Sequence, residues 1–206
     1  MSELKKPRKS IVFIGDSITD CGRTYPTKSE YGFGFAAKCI HRLKETDEGL
    51  PLYNRGIAGQ CIGQVHARWQ QDCLDLSPAL VSILIGVNDV DYSYRKENHP
   101  FVEEELKRQL EDMYASVKKA GAKLVVMEPH AFDGELYKDS FYPRLKWLKE
   151  TTKALADQYA DLYIPSPMTA ALTLEGVHPT DEGHELLAKC WMESVTEKGL
   201  LDFIRK

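Results

Sequence analysis

No stretch of the 206 residues comes near the roughly 20 consecutive apolar residues that a helical membrane span needs. The apolar run ahead of Asp16, "IVFIG", is too short for the core of a secretion signal. The sequence has no C-x-x-C pair. Its five cysteines (Cys21, Cys39, Cys61, Cys73 and Cys190) are odd in number and scattered. They do not form a disulfide frame or show zinc-finger spacing, so free thiols in a reducing cytoplasm are expected, with no metal site. Positive charge is not in excess: the formal net charge is -4, and neither a nucleic-acid nor a membrane partner is expected. The one basic run, "KKPRK" at 5–9, reads as a solvated terminus. There is no internal repeat, low-complexity tract or linker, so a single domain over 1–206 is expected. G-x-S-x-G is absent, which excludes the usual nucleophile elbow of α/β-hydrolases. Gly32, Gly34 and Ala37 in "YGFGFAAK" mimic a dinucleotide fingerprint. No strand directly precedes them and Phe33 would crowd a pyrophosphate, so no cofactor is expected.

What is present alternates. Short apolar runs recur at 10–14, 52–57, 80–86, 123–129 and 161–165. Most lack period-two alternation, as in strands buried on both faces of a parallel sheet. Helical patterns lie between them. Val102, Leu106, Leu110, Met113 and Val117 form one stripe over 101–120, with Glu103, Glu104 and Glu105 at its start and Lys118, Lys119 and Gly121 at its end. Further helices are expected over 143–160, with Pro143 in the first turn, and from a cap at Thr180 to before Gly199. The pattern predicts an α/β fold: a three-layer α/β/α sandwich of about five parallel strands with helices on both faces. Functional residues of such sheets gather beyond the carboxyl ends of the strands.

Three strand ends are unusual. The first runs into Gly15-Asp16-Ser17, the second into "NRGIAGQ" with Gly56 and Gly59, and the third into "GVND" at 86–89. A fourth stretch, "LEGVHPTDEGH" at 174–184, carries Glu175 and His178 ahead of the last helix. Each has an ordinary reading. Ser17 can cap a helix, Gly59 can supply a positive φ, Asn88 and Asp89 can form a turn, and His178 can be an exposed loop histidine. Together they supply a hydroxyl nucleophile, a base, a carboxylate and hydrogen-bond donors, the requirements of acyl transfer.

The order G-D-S, glycine loop, G-x-N-D and x-G-V-H-P resembles the SGNH (GDSL-type) hydrolase family over residues 10–184. The stretches "GDSITDCGR", "NRGIAG" and "SILIGVNDV" are also similar to the branch of intracellular acetylxylan and acetyl-xylooligosaccharide esterases. The resemblance implies a flavodoxin-like fold and a serine esterase acting on short, chiefly acetyl, esters of carbohydrates, with no cofactor. It implies Ser17 as nucleophile and His178 as general base. The backbone N–H groups of Ser17 and Gly59 and the Asn88 side chain become the oxyanion hole. The family has Asp three residues before the histidine; here that position is Glu175, with Asp181 as a fallback. Asp16, Asp89 and Tyr92 are candidates for the substrate pocket, and Trp69 and Tyr94 for stacking on a sugar or for packing. Cys21 can line the site or fill the core. A general short-chain esterase or thioesterase, and an inactive carbohydrate-binding module, are the competing readings. The assembly state, monomer or homo-oligomer, stays open.

Overall fold

Ile11, Val12, Phe13 and Ile14 have no solvent exposure, as a strand covered on both faces requires. They belong to β1 (Ser10–Gly15), an interior strand of a five-stranded sheet. The other strands are β2 (Leu52–Gly56), β3 (Pro78–Leu84), β4 (Lys123–Met127) and β5 (Leu162–Ile164). All pairings are parallel and the order is β2-β1-β3-β4-β5, the flavodoxin-like arrangement expected. The computed structural model describes residues 10–24, 29–96, 98–132 and 141–202. The basic run at 5–9 lies outside them.

Eight helices accompany the strands among the described residues. They are α1 (Ser17–Asp20), α2 (Phe35–Thr46), α3 (Ile62–Ala67), α4 (Trp69–Asp72), α5 (Val87–Arg95), α6 (Glu103–Lys119), α7 (Phe141–Tyr159) and α8 (Asp181–Glu197). Four residues of the stripe on α6 are core: Leu106, Leu110, Met113 and Val117 are buried, whereas Val102 stands at the cap position ahead of the helix and is 45% exposed. Thr180 caps α8 through a hydrogen bond from the Gly183 N–H, as its position predicts. α2 packs along α8, and α6 packs against α3 and α7. Right-handed crossovers from this strand order put the two groups on opposite faces. Phe13 anchors the first face, 6.2 Å from the ring of Phe35 and 4.9 Å from that of Trp191.

The chain leaves β1 toward β2 and then returns past it to β3, so a crevice opens beyond the carboxyl ends of β1 and β3. Close approach is possible there because residue 15 lacks a side chain. A Cβ on Gly15 would stand 2.1 Å from the Leu84 carbonyl oxygen. Trp69, weighed as a sugar platform, is buried and its indole N–H donates to Ser116 Oγ at 2.8 Å, so it is a packing residue.

Candidate active site

The strand-one loop separates two roles that the sequence left combined at Ser17. Asp16, not Ser17, caps α1: its carboxylate accepts from the Ile18 N–H at 3.0 Å. Ser17 is thereby the first helical residue, and its side chain is free of capping duty. Its Oγ donates to His178 Nε2 at 2.8 Å across 161 residues of sequence. The other ring nitrogen, Nδ1, donates to Glu175 Oε1, which also accepts from the His178 backbone N–H at 3.2 Å. The extra methylene of glutamate is thus accommodated within one turn. Asp181, the fallback, pairs with Lys38 at 2.9 Å instead.

Backbone contacts fix the turn that carries Glu175 and His178. Leu174 N–H donates to the His178 carbonyl and Thr180 N–H to the Leu172 carbonyl, each at 2.8 Å. The segment after β4 holds the turn from below. Phe132 N–H donates to the Gly176 carbonyl at 2.8 Å, and His130 Nε2 to the Val177 carbonyl at 3.2 Å. His130 is fully buried, and burial pulls its pKa down to about 4, so its ring stays neutral at ordinary pH.

Ser17, Gly59, Asn88, Glu175 and His178 all line one cleft of about 260 Å³. Its remaining walls are Ala58, Val87, Asp91, Tyr92, Arg95 and Val177. Gly59 sits at φ +77°, a conformation that glycine adopts without strain, under the Tyr92 hydroxyl. The Ser17 N–H is the first of α1 and has no acceptor in a preceding turn of that helix. Asn88 is the second residue of α5, and its amide donates one hydrogen bond to the Gln60 carbonyl at 2.9 Å. A carboxamide has a second N–H. With the two backbone N–H groups, it gives a set of donors able to meet an oxyanion.

Of the three pocket candidates, Tyr92 lines the cleft and Asp16 and Asp89 do not. Both carboxyls are buried and serve the backbone: Asp89 accepts from the Ile62 N–H at 3.0 Å. Burial pushes each up to about 7. Cys21 also lies outside the cleft lining, its Sγ 3.3 Å from His184 Nε2. The charged lining residues that no sequence motif singles out are Asp91 and Arg95, an ion pair at 2.6 Å. Their spacing of four along a helix was the available signal.

The arrangement of nucleophile, base, carboxylate and donors suits acyl transfer, and comparison with known proteins agrees. The model of the GDSL-like lipase/acylhydrolase family matches residues 13–186. An acetylxylan esterase of Geobacillus stearothermophilus is 28% identical over 207 residues, covering 91% of this chain and 94% of that one. Its crystal structure superposes with a TM-score of 0.77 at 26% identity, over 91% of this chain and 94% of the other. A Parabacteroides merdae protein described as GDSL-like lipase gives a TM-score of 0.79 at 29% identity, covering 94% and 98%. Catalytic mutants of the Geobacillus enzyme, solved in the same fold, replace a serine, an aspartate and a histidine, the last two three residues apart. With the family model spanning most of the chain, the protein belongs to the GDSL-like lipase/acylhydrolase family and is a carboxylic ester hydrolase.

Proposed function

We propose that the protein is a serine esterase that removes acetyl groups from xylo-oligosaccharides, with Ser17, His178 and Glu175 as its catalytic residues. The observation that carries this is the continuous chain Ser17 Oγ–His178 Nε2, His178 Nδ1–Glu175 Oε1, opening into a small cleft. His178 takes the Ser17 proton as Oγ attacks the ester carbonyl. Glu175 holds the ring with Nδ1 protonated and Nε2 free to accept, and stabilises the imidazolium as it forms. The carbonyl oxygen becomes an oxyanion between the N–H groups of Ser17 and Gly59 and the Asn88 amide. His178 then protonates the departing sugar hydroxyl. Water, deprotonated by His178 in turn, attacks the acyl-serine and releases acetate. The intact chain speaks against an inactive binding module.

Cleft size supports the short acyl group, since the cleft holds only about 260 Å³ among the described residues. The similarity to an acetylxylan esterase supports the sugar. The test compares turnover on acetylated xylo-oligosaccharides, a chromogenic acetate and a chromogenic octanoate, with Ser17→Ala beside the wild type. Release of acetate from the oligosaccharides, lost in Ser17→Ala, is expected. Faster octanoate than acetate hydrolysis would reject the acetyl reading.

A further inference from the structure

Behind the oxyanion donors lies a group of side chains that the acyl-transfer chemistry does not use. Cys61 follows Gln60 and caps α3, Asp89 follows Asn88 on α5, and His99 lies beyond the end of that helix. A ligand atom from each of the three lies within 4.8 Å of the other two. Cys61 Sγ and His99 Nε2 are 3.5 Å apart. A tetrahedral zinc ion, with Zn–S near 2.3 Å and Zn–N near 2.0–2.1 Å, holds its sulfur and nitrogen about 3.6 Å from each other. That edge already has the required length, and the carboxylate needs to close in by roughly 1 Å.

The surroundings fit a cation. Asp89 is oriented by the Ile62 N–H at 3.0 Å, the kind of support that aims a ligand at a metal. A second buried carboxylate, Asp16, acts on both Cys61 and Asp89, and its Oδ2 has no partner among the described residues. The cation acting on Cys61 is Lys96, whose ammonium rests on the Tyr92 ring at 3.6 Å from its centroid. His99 is only half-buried, which gives an entry path from solvent. A thiol, an imidazole and a carboxylate together select zinc over magnesium or calcium.

We propose that Cys61, Asp89 and His99 bind one zinc ion, with water in the fourth position, and that its binding slows the esterase. On binding, the Cys61 thiol releases its proton to solvent and becomes the thiolate ligand, and Asp89, where it is protonated, releases its own to ligate as a carboxylate, so affinity rises with pH. The inhibition rests on the oxyanion assignment of the previous subsection. Cys61 and Asp89 directly follow Gln60 and Asn88, the two residues joined by the Asn88 Nδ2 to Gln60 carbonyl bond. Drawing the ligands together displaces that pair from its aim at the oxyanion, and a displacement of about 1 Å costs on the order of a hundredfold in rate.

The experiment titrates metal-free protein with zinc by calorimetry, with magnesium as control, and separately follows turnover. Wild type and His178→Ala are expected to bind one equivalent with proton release. Cys61→Ala and His99→Asn are expected to bind at least tenfold more weakly. Cobalt in place of zinc is expected to give a thiolate charge-transfer band that Cys61→Ala lacks. Turnover is expected to fall with occupancy in wild type and to resist zinc in Cys61→Ala. Unchanged affinity in Cys61→Ala and His99→Asn, or zinc binding lost in His178→Ala, would overturn the site by placing the ion on the catalytic histidine. Binding through Cys61 with no change in turnover would overturn its coupling to the oxyanion donors. The calorimetric arm does not depend on any catalytic assignment.

Discussion

Glu175 shows what one residue contributes at this site. Its Oε1 accepts from both the ring and the backbone N–H of His178, so it sets the tautomer and the tilt of the ring together. Glu175→Gln keeps the volume but offers an N–H as readily as an oxygen, which allows the wrong tautomer. We expect turnover to fall more than tenfold, yet less than the roughly ten-thousandfold known for the corresponding change in a serine protease. Glu175→Asp, the residue type seen in the Geobacillus relative, is expected to stay active. Asn88→Ala removes one oxyanion donor and is expected to lower kcat about a hundredfold to a thousandfold with little change in KM. Steady-state kinetics on a chromogenic acetate, with circular dichroism to check folding, decides both. Nearly wild-type rates in Glu175→Gln would leave a Ser-His dyad, and in Asn88→Ala would make Asn88 a turn residue. These residues were legible in the sequence because their chemistry is unusual at strand ends. Asp16 and Asp89 were misplaced because only the tertiary fold turns a polar loop residue inward to serve a backbone N–H.

At the scale of elements, the strands and the helices α6, α7 and α8 could be read from the sequence, and α2 and the short helices could not. β1 and β3 are apolar runs, and the stripe of α6 is long enough to average out exceptions. α3 and α4 span six and four residues, too few for a period to appear. α5 begins with residues that read as turn formers, and Gly86 at φ +117° turns the chain into it. No local pattern announces the contact between the segment after β4 and the catalytic turn. His130 joins them, and its only polar partner among the described residues is the Val177 carbonyl, beside His178. We assign it as a positioning residue. His130→Phe keeps ring bulk and loses the donor. It is expected to lower kcat about tenfold with KM unchanged, within the range a sub-ångström misalignment costs. His130→Gln, which retains an N–H near the Nε2 position, is expected to recover most of the rate. Equal loss in both variants, tracking melting temperature, would make the residue merely structural.

Across the molecule, two buried acids and two buried histidines among the described residues have opposite effects on stability below neutral pH. Asp16 and Asp89 have carboxyls raised to about 7, so between pH 4 and 7 the folded state binds more protons than the unfolded one. Their contribution is present at low pH and is lost as pH rises through about 7. His130 and His184 are lowered to about 4 by burial, so between pH 4 and 6.5 the unfolded state binds more protons. Their contribution is present above 6.5 and is lost as pH falls through about 4. Each group alters stability by about 1.4 kcal/mol per pH unit inside its window. Between pH 4 and 6.5 the two acids and the two histidines pull stability in opposite directions. Asp16→Asn removes one falling slope. Its amide oxygen can still accept from the Ile18 N–H, so the cap at α1 survives and any constant offset is independent of pH. Measured in a metal chelator, the variant is expected to gain about 1.4 kcal/mol per pH unit relative to wild type from 4 to 6.5, or roughly 3–6 °C per unit for a domain of this size. Scanning calorimetry at half-unit steps reads the difference directly. A variant profile parallel to wild type would show that Asp16 is ionised throughout, and that the environment beneath the nucleophile is more polar than its burial implies.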